Sequence, residues 1–181
     1  MPRYSRARIE FLLAEVDAAG TSDSKGAALE RFARYLFEKV RGVECARQNV
    51  LDAPRAHELD LAFWNDQRIS QLYFLDAVVI VECKASEMPV GSAEVGWFVR
   101  KLQDRGAHFG ILVALNGVTG NEDTSAHSEI LGALIRDGIK ILLVTRSEVV
   151  ALVDTDGLAD ILKRKLLRLQ LDRAVHPSGE R

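Results

Sequence analysis

Asp76 to Ser86 reads DAVVIVECKAS, and the reading of this stretch decides the fold. Ala77 to Val81 is a continuous apolar run with the character of a strand interior. Two charged residues then follow, Glu82 and Lys84, with Cys83 between them. Side chains alternate across a strand, so Glu82 and Lys84 share one face, with Cα atoms roughly 7 Å apart. A strand this apolar is usually buried, and burying an unpaired charge with it is costly. Either the charges emerge into water at the strand's end, or something there needs them.

Working backwards from this strand, Asn65 to Gln71 is polar and turn-like, and His57 to Asn65 alternates. Leu59, Leu61 and Phe63 face one way and Glu58 and Asp60 the other. A hairpin centred near Gln71 places Asp60 opposite Glu82, with the strands about 4.8 Å apart. A slip of one residue would break that meeting. Asp52 to Arg55 holds a proline and reads as a turn, preceded by a strand over Val43 to Val50. Two helices come first. One spans Ser5 to Ala19, with Ile9, Leu12, Leu13 and Val16 at helical spacing. The other spans Ser24 to Val40, with Leu29, Phe32, Ala33, Leu36, Phe37 and Val40 as its apolar stripe and Gly42 as its stop.

Working forwards, Met88 to Gly91 is a loop, and Ser92 is the expected N-cap of a helix reaching Arg105. Its inward residues are Val95, Phe98, Val99 and Leu102. His108 to Leu115 is an apolar strand, and Asn116 to Asn121 a glycine-containing loop. Asp123 is the expected cap of a helix to Arg136. Asp137-Gly138 turns into a strand over Ile139 to Val144, and Thr145 with Glu148 forms a capping box. A last helix runs from Asp156 to Leu171, before a polar tail. The order α, α, β, β, β, α, β, α, β, α, α implies an α/β fold with a mixed sheet and helices on both faces. The expected organisation is an N-terminal helix and linker over 1–23, a core over 24–154, and a C-terminal helix and tail over 155–181.

Composition is that of a soluble globular protein, 48% hydrophobic and 28% charged. A formal net charge of −2 argues against nucleic-acid binding through global charge, while leaving room for a local basic patch. Cys45 and Cys83 form no CxxC pair and read as reduced cytoplasmic thiols. The histidines His57, His108, His127 and His176 lack zinc-ligand spacing. Glu10 and Glu15 interrupt the only apolar run near the start, so no signal peptide is expected. No stretch approaches the length of a membrane span.

Asp60, Glu82 and Lys84, with Glu30 from the second helix, make the candidate site. Phosphodiester hydrolysis needs a nucleophilic water, relief of phosphate charge and a stabilised leaving alkoxide. Mg²⁺ supplies much of this, and commonly takes one or two carboxylates plus the substrate's phosphate and water. Asp60 and Glu82 fit as those carboxylates, and the Lys84 ammonium as the holder of the attacking water.

At these residues the chain resembles the restriction-endonuclease-like, or PD-(D/E)xK, nuclease superfamily, and its Mrr-like branch most closely. The matching pieces are GAALERF (Gly26 to Phe32), ELDL (Glu58 to Leu61) and VECK (Val81 to Lys84), within a likeness that spans Ser24 to Val144. The resemblance implies a restriction-endonuclease-like three-layer fold that cuts nucleic acid with a divalent metal. It assigns metal binding to Asp60 and Glu82, catalytic assistance to Lys84 and a further carboxylate ligand to Glu30, with Mn²⁺ able to replace Mg²⁺. Leu59 stands where the superfamily motif has proline. Gln103 lies too near the end of its helix to carry the glutamine motif of some relatives.

Plainer readings stand beside these. Taken alone, Glu82 and Lys84 could be an exposed ion pair at a strand end, worth on the order of 0–1 kcal/mol. The apolar approach and the opposing Asp60 shift the balance. Glu30 could be a solvated or capping residue. Glu58 reads as an outward polar residue, His57 as a strand-edge residue and Cys83 as core packing. Arg100, Lys101 and Arg105 are candidate phosphate contacts, whereas Lys163, Arg164, Lys165 and Arg168 read as a solvated face. The expected function is an intracellular Mg²⁺-dependent endonuclease acting on DNA in restriction or another defence role, as a homodimer or with a recognition subunit. The alternatives are a non-catalytic scaffold with the same fold, and cleavage of RNA or branched DNA.

Overall fold

A computed structural model describes residues 2–51, 58–120, 125–173 and 175. The element order matches the expected one: α1 (Arg6–Ala18), α2 (Ser22–Glu38), β1 (Val43–Leu51), β2 (Glu58–Asn65), β3 (Val78–Lys84), α3 (Ser92–Gln103), β4 (Phe109–Ala114), α4 (Ala126–Asp137), β5 (Lys140–Val144), α5 (Arg146–Val150) and α6 (Thr155–Leu167). A π-helical turn, Arg168–Asp172, ends the last helix. His57 and Asp123 lie outside the described residues. Among the described residues, no helix is long and apolar enough to cross a membrane.

The sheet has the order β1-β2-β3-β4-β5, antiparallel from β1 to β3 and parallel from β3 to β5. The continuous apolar run of β3 is explained by its central place, since strands covered on both faces lose the alternation of half-exposed ones. The crossovers β3–α3–β4 and β4–α4–β5 run in the same direction along the sheet, so α3 and α4 fall on one face and pack on each other. On the other face α2 lies across β1, β2 and β3, with the Phe37 and Phe63 rings 5.4 Å apart, and α1 packs on α2.

Two local features set the geometry of the site. The first is Gly110 on β4. A Cβ there would come within 2.6 Å of the Phe98 ring and 2.7 Å of Leu102, so glycine lets α3 lie close on the sheet. The second is Asn65 at the end of β2, fully buried. Its side-chain amide donates to the carbonyls of Leu72, at 3.0 Å, and Asp76, at 3.1 Å, while its backbone N–H donates to the Ala77 carbonyl at 2.8 Å. Asn65 thereby closes the β2–β3 connection at one length, and turn geometry fixes hairpin register.

The helix caps correct two expectations. Gly91, not Ser92, is the N-cap of α3, with no side-chain hydrogen bond, so Ser92 is already helical. The cap of α4 is Ser125, which forms a capping box with Ser128. Gly138 ends α4 in the left-handed conformation, φ 69°, where a side chain would be strained. The Thr145–Glu148 capping box is present as expected.

Candidate active site

The β2–β3 ladder pairs Leu61 with Val81, Ala62 with Ile80, Phe63 with Val79 and Trp64 with Val78. One further step in this register brings Asp60 opposite Glu82. There the backbone ladder gives way to a side chain: Asp60 Oδ2 accepts the Cys83 N–H at 2.7 Å. On the far side of β2, the pairs Gln48–Leu61 and Val50–Leu59 flank Asn49, whose φ of 52° distorts β1 beside Asp60.

Glu82 is 1% exposed and is held by two ammonium groups. Lys84 reaches Oε1 at 2.9 Å, and Lys101, from α3, reaches Oε1 and Oε2 at 2.8 and 2.7 Å. The exposed strand-end ion pair is therefore excluded for Glu82: this is a buried carboxylate that stays in the core because it is paired. Lys101, a candidate phosphate contact in the sequence, points into the site instead. Its position was readable in part from the sequence, since it lies three residues after Phe98, on the flank of the apolar stripe. The close packing at Gly110 that brings it to β3 was not readable.

Burial is the main cause that pushes Asp60 up to about 6, and the nearby Glu82 charge adds to it. The Cys83 N–H and the Lys101 and Lys84 charges oppose the rise without cancelling it. For Lys84, burial pulls downwards, but the charge and hydrogen bond of Glu82, with help from Asp60 and Glu94, outweigh it and move the group up. Lys84 is thus an ammonium at neutral pH, a donor and not a base. The Cys83 thiol is pushed well up by burial, and next by the Asp60, Glu30 and Glu82 charges, so it stays protonated and packs in the core.

The other candidates sit further out. Glu30 accepts a hydrogen bond from the Gln48 amide at 3.0 Å. It makes none to Asp60, Glu82 or Lys84 among the described residues, although its charge is felt at Cys83. Glu58 and Gln103 are exposed. Lys84 opens into a cavity of about 490 Å³ whose lining includes Thr21, Lys25, Gly26, Ser86 and Glu87. Lys25 pairs with Glu87 there, and beyond it Arg146 pairs with Asp17.

The last helix also departs from the expected solvated face. Lys165 is buried and lies 2.7 Å from Glu148, the residue that caps α5, while Lys163 lies over the Tyr73 and Phe74 rings. These two lysines tie α6 to its neighbours.

The donor set suits a hard divalent cation. Asp60 and Glu82 offer carboxylate oxygens, and a cation beside Asp60 would favour the charged form that burial and the Glu82 charge disfavour. Among the described residues no group of three or more histidines, cysteines or carboxylates could hold a metal. The two carboxylates match a site that takes its remaining ligands from phosphate and water.

A family model described as a restriction endonuclease, the Mrr catalytic domain, matches residues 22–162. No curated protein and no solved structure matches the chain.

Proposed function

The chain belongs to the restriction-endonuclease family of Mrr catalytic domains, and from that premise we propose that it is a divalent-metal-dependent endonuclease that hydrolyses DNA phosphodiester bonds. The observation that carries this reading is the opposition of Asp60 and Glu82 across β2 and β3, with Lys84 on the same strand as Glu82.

In this reading Asp60 and Glu82 hold the cation, Mg²⁺ or Mn²⁺ in its place. The cation, when bound, neutralises charge on the phosphate and makes a water more acidic. Asp60 is kept rigid by the Cys83 N–H, which fixes one oxygen and leaves the other for a ligand. The Lys84 ammonium orients the attacking water or a phosphate oxygen by donation, because its raised pKa keeps it charged. Glu30 stands at the edge as a further carboxylate, held by Gln48. The cavity beside Lys84 receives the phosphate backbone, with Lys25 in its wall. The family supports DNA as the substrate, and the reading extends to restriction or another defence against foreign DNA in the cytoplasm, with a second copy or a recognition subunit completing the enzyme.

The test is cleavage of supercoiled plasmid and of oligonucleotide duplexes with Mg²⁺, Mn²⁺ or EDTA. The wild-type protein is expected to cut with either metal and to stop with EDTA, and Asp60→Ala and Lys84→Ala to be inactive while folded. Cutting by both variants at the wild-type rate would overturn the site. DNA binding without cutting under every metal condition would favour a scaffold.

A further inference from the structure

Both oxygens of Glu82 are taken by one residue. Lys101 Nζ lies 2.8 Å from Oε1 and 2.7 Å from Oε2, and its side chain is 13% exposed. Lys84 shares only Oε1 and opens towards the cavity. A cation entering between Asp60 and Glu82 therefore meets an ammonium already seated on the carboxylate it needs. We propose that Lys101 is a positioning residue that holds Glu82 in the metal-free protein and competes with the divalent cation for it. This rests on the metal-dependent reading of the site given above.

Three features support an exchange. A divalent ion outcompetes a single positive charge at the same oxygens. The lysine carries its charge on a flexible four-carbon stem, so the head can leave while the stem stays packed. The end of α3 that bears it is tied down, because Arg105 Nη1 donates to the Lys101 carbonyl at 2.9 Å. Once released, the ammonium needs another anion, and a nucleic-acid phosphate beside the bound cation would supply one. Cation and nucleic acid then each favour the other's binding through Lys101, and the coupling must be reciprocal.

Calorimetric titration with Ca²⁺, without nucleic acid, tests this on wild type, Lys101→Met and Glu82→Gln. Lys101→Met is expected to bind Ca²⁺ about tenfold more tightly than wild type, and Glu82→Gln to lose binding. A short DNA duplex should tighten Ca²⁺ binding in wild type more than in Lys101→Met. Equal or weaker Ca²⁺ binding by a folded Lys101→Met, with wild type binding normally, would overturn the competition and leave the metal reading standing. Absence of Ca²⁺, Mg²⁺ and Mn²⁺ binding by every folded form would overturn both. Should Lys101→Met fail to fold, acetylation of lysines in wild type, read by mass spectrometry, decides the matter. Lys101 should label several-fold faster in saturating Ca²⁺, and an unchanged rate under saturation would refute the exchange.

Discussion

Replacing Asp60 by asparagine should make the metal-free protein more stable, and the size of the gain follows from the site. Asp60 is pushed from 3.8 to about 6 by burial and by the Glu82 charge. At about 1.4 kcal/mol per pH unit, that gap is worth roughly 3 kcal/mol as an upper bound. The sign follows from proton binding. Between pH 3.8 and about 6 the folded state keeps a proton that the unfolded chain has lost, so stability falls as pH rises through this window and then levels off. Asparagine does not titrate, and its side-chain oxygen can still accept the Cys83 N–H that Asp60 accepts at 2.7 Å. Urea unfolding in EDTA should therefore show Asp60→Asn ahead of wild type by about 2–3 kcal/mol at pH 8, about half of that at pH 5 and almost nothing below pH 4. Mg²⁺ should reverse the order at pH 8, because it stabilises only the form with a charged Asp60. A wild type as stable as the variant at pH 8 in EDTA, or an advantage unchanged at pH 4, would refute the electrostatic account of the site.

Other outcomes follow from single contacts. Lys84→Met should lower DNA cleavage at least 100-fold with the fold intact by circular dichroism, since the site loses the donor that faces the cavity. Gly110→Val should cost about 1–3 kcal/mol in urea unfolding, because the added carbons press on Phe98 and Leu102. Asn65→Ala frees the Leu72 and Asp76 carbonyls and should cost about 1–3 kcal/mol, measured the same way. Lys165→Met leaves the Glu148 carboxylate without its buried partner and should destabilise by about 3 kcal/mol, while Lys163→Met at the ring contact should cost well under half of that.

The order of elements was legible because it rests on local rules: a period of two in β2, an unbroken apolar run in β3, helical spacing in α2 and α3, and capping residues at their ends. The pairing of Asp60 with Glu82 was legible for the same reason, since a hairpin's register follows from the length of its connection. Asn65 holds that length by bonds that the sequence does not announce. The misplaced caps came from polar residues close to the true boundary: Ser92 follows the Gly91 cap directly, and Asp123 precedes the Ser125 cap by two positions.

What the sequence by itself determined was the α/β architecture and the meeting of Asp60, Glu82 and Lys84, because one strand and its hairpin partner carry all three. What only the tertiary structure decided was how Glu82 is paired inside the core. That depends on Lys101, nineteen residues away, reaching it across the interface between α3 and the sheet. The distance across that interface is set by the missing side chain of Gly110 on a third element. No local rule couples a glycine on β4, a lysine on α3 and a carboxylate on β3; packing does, because a buried charge must be met by whatever side chain the fold brings within reach.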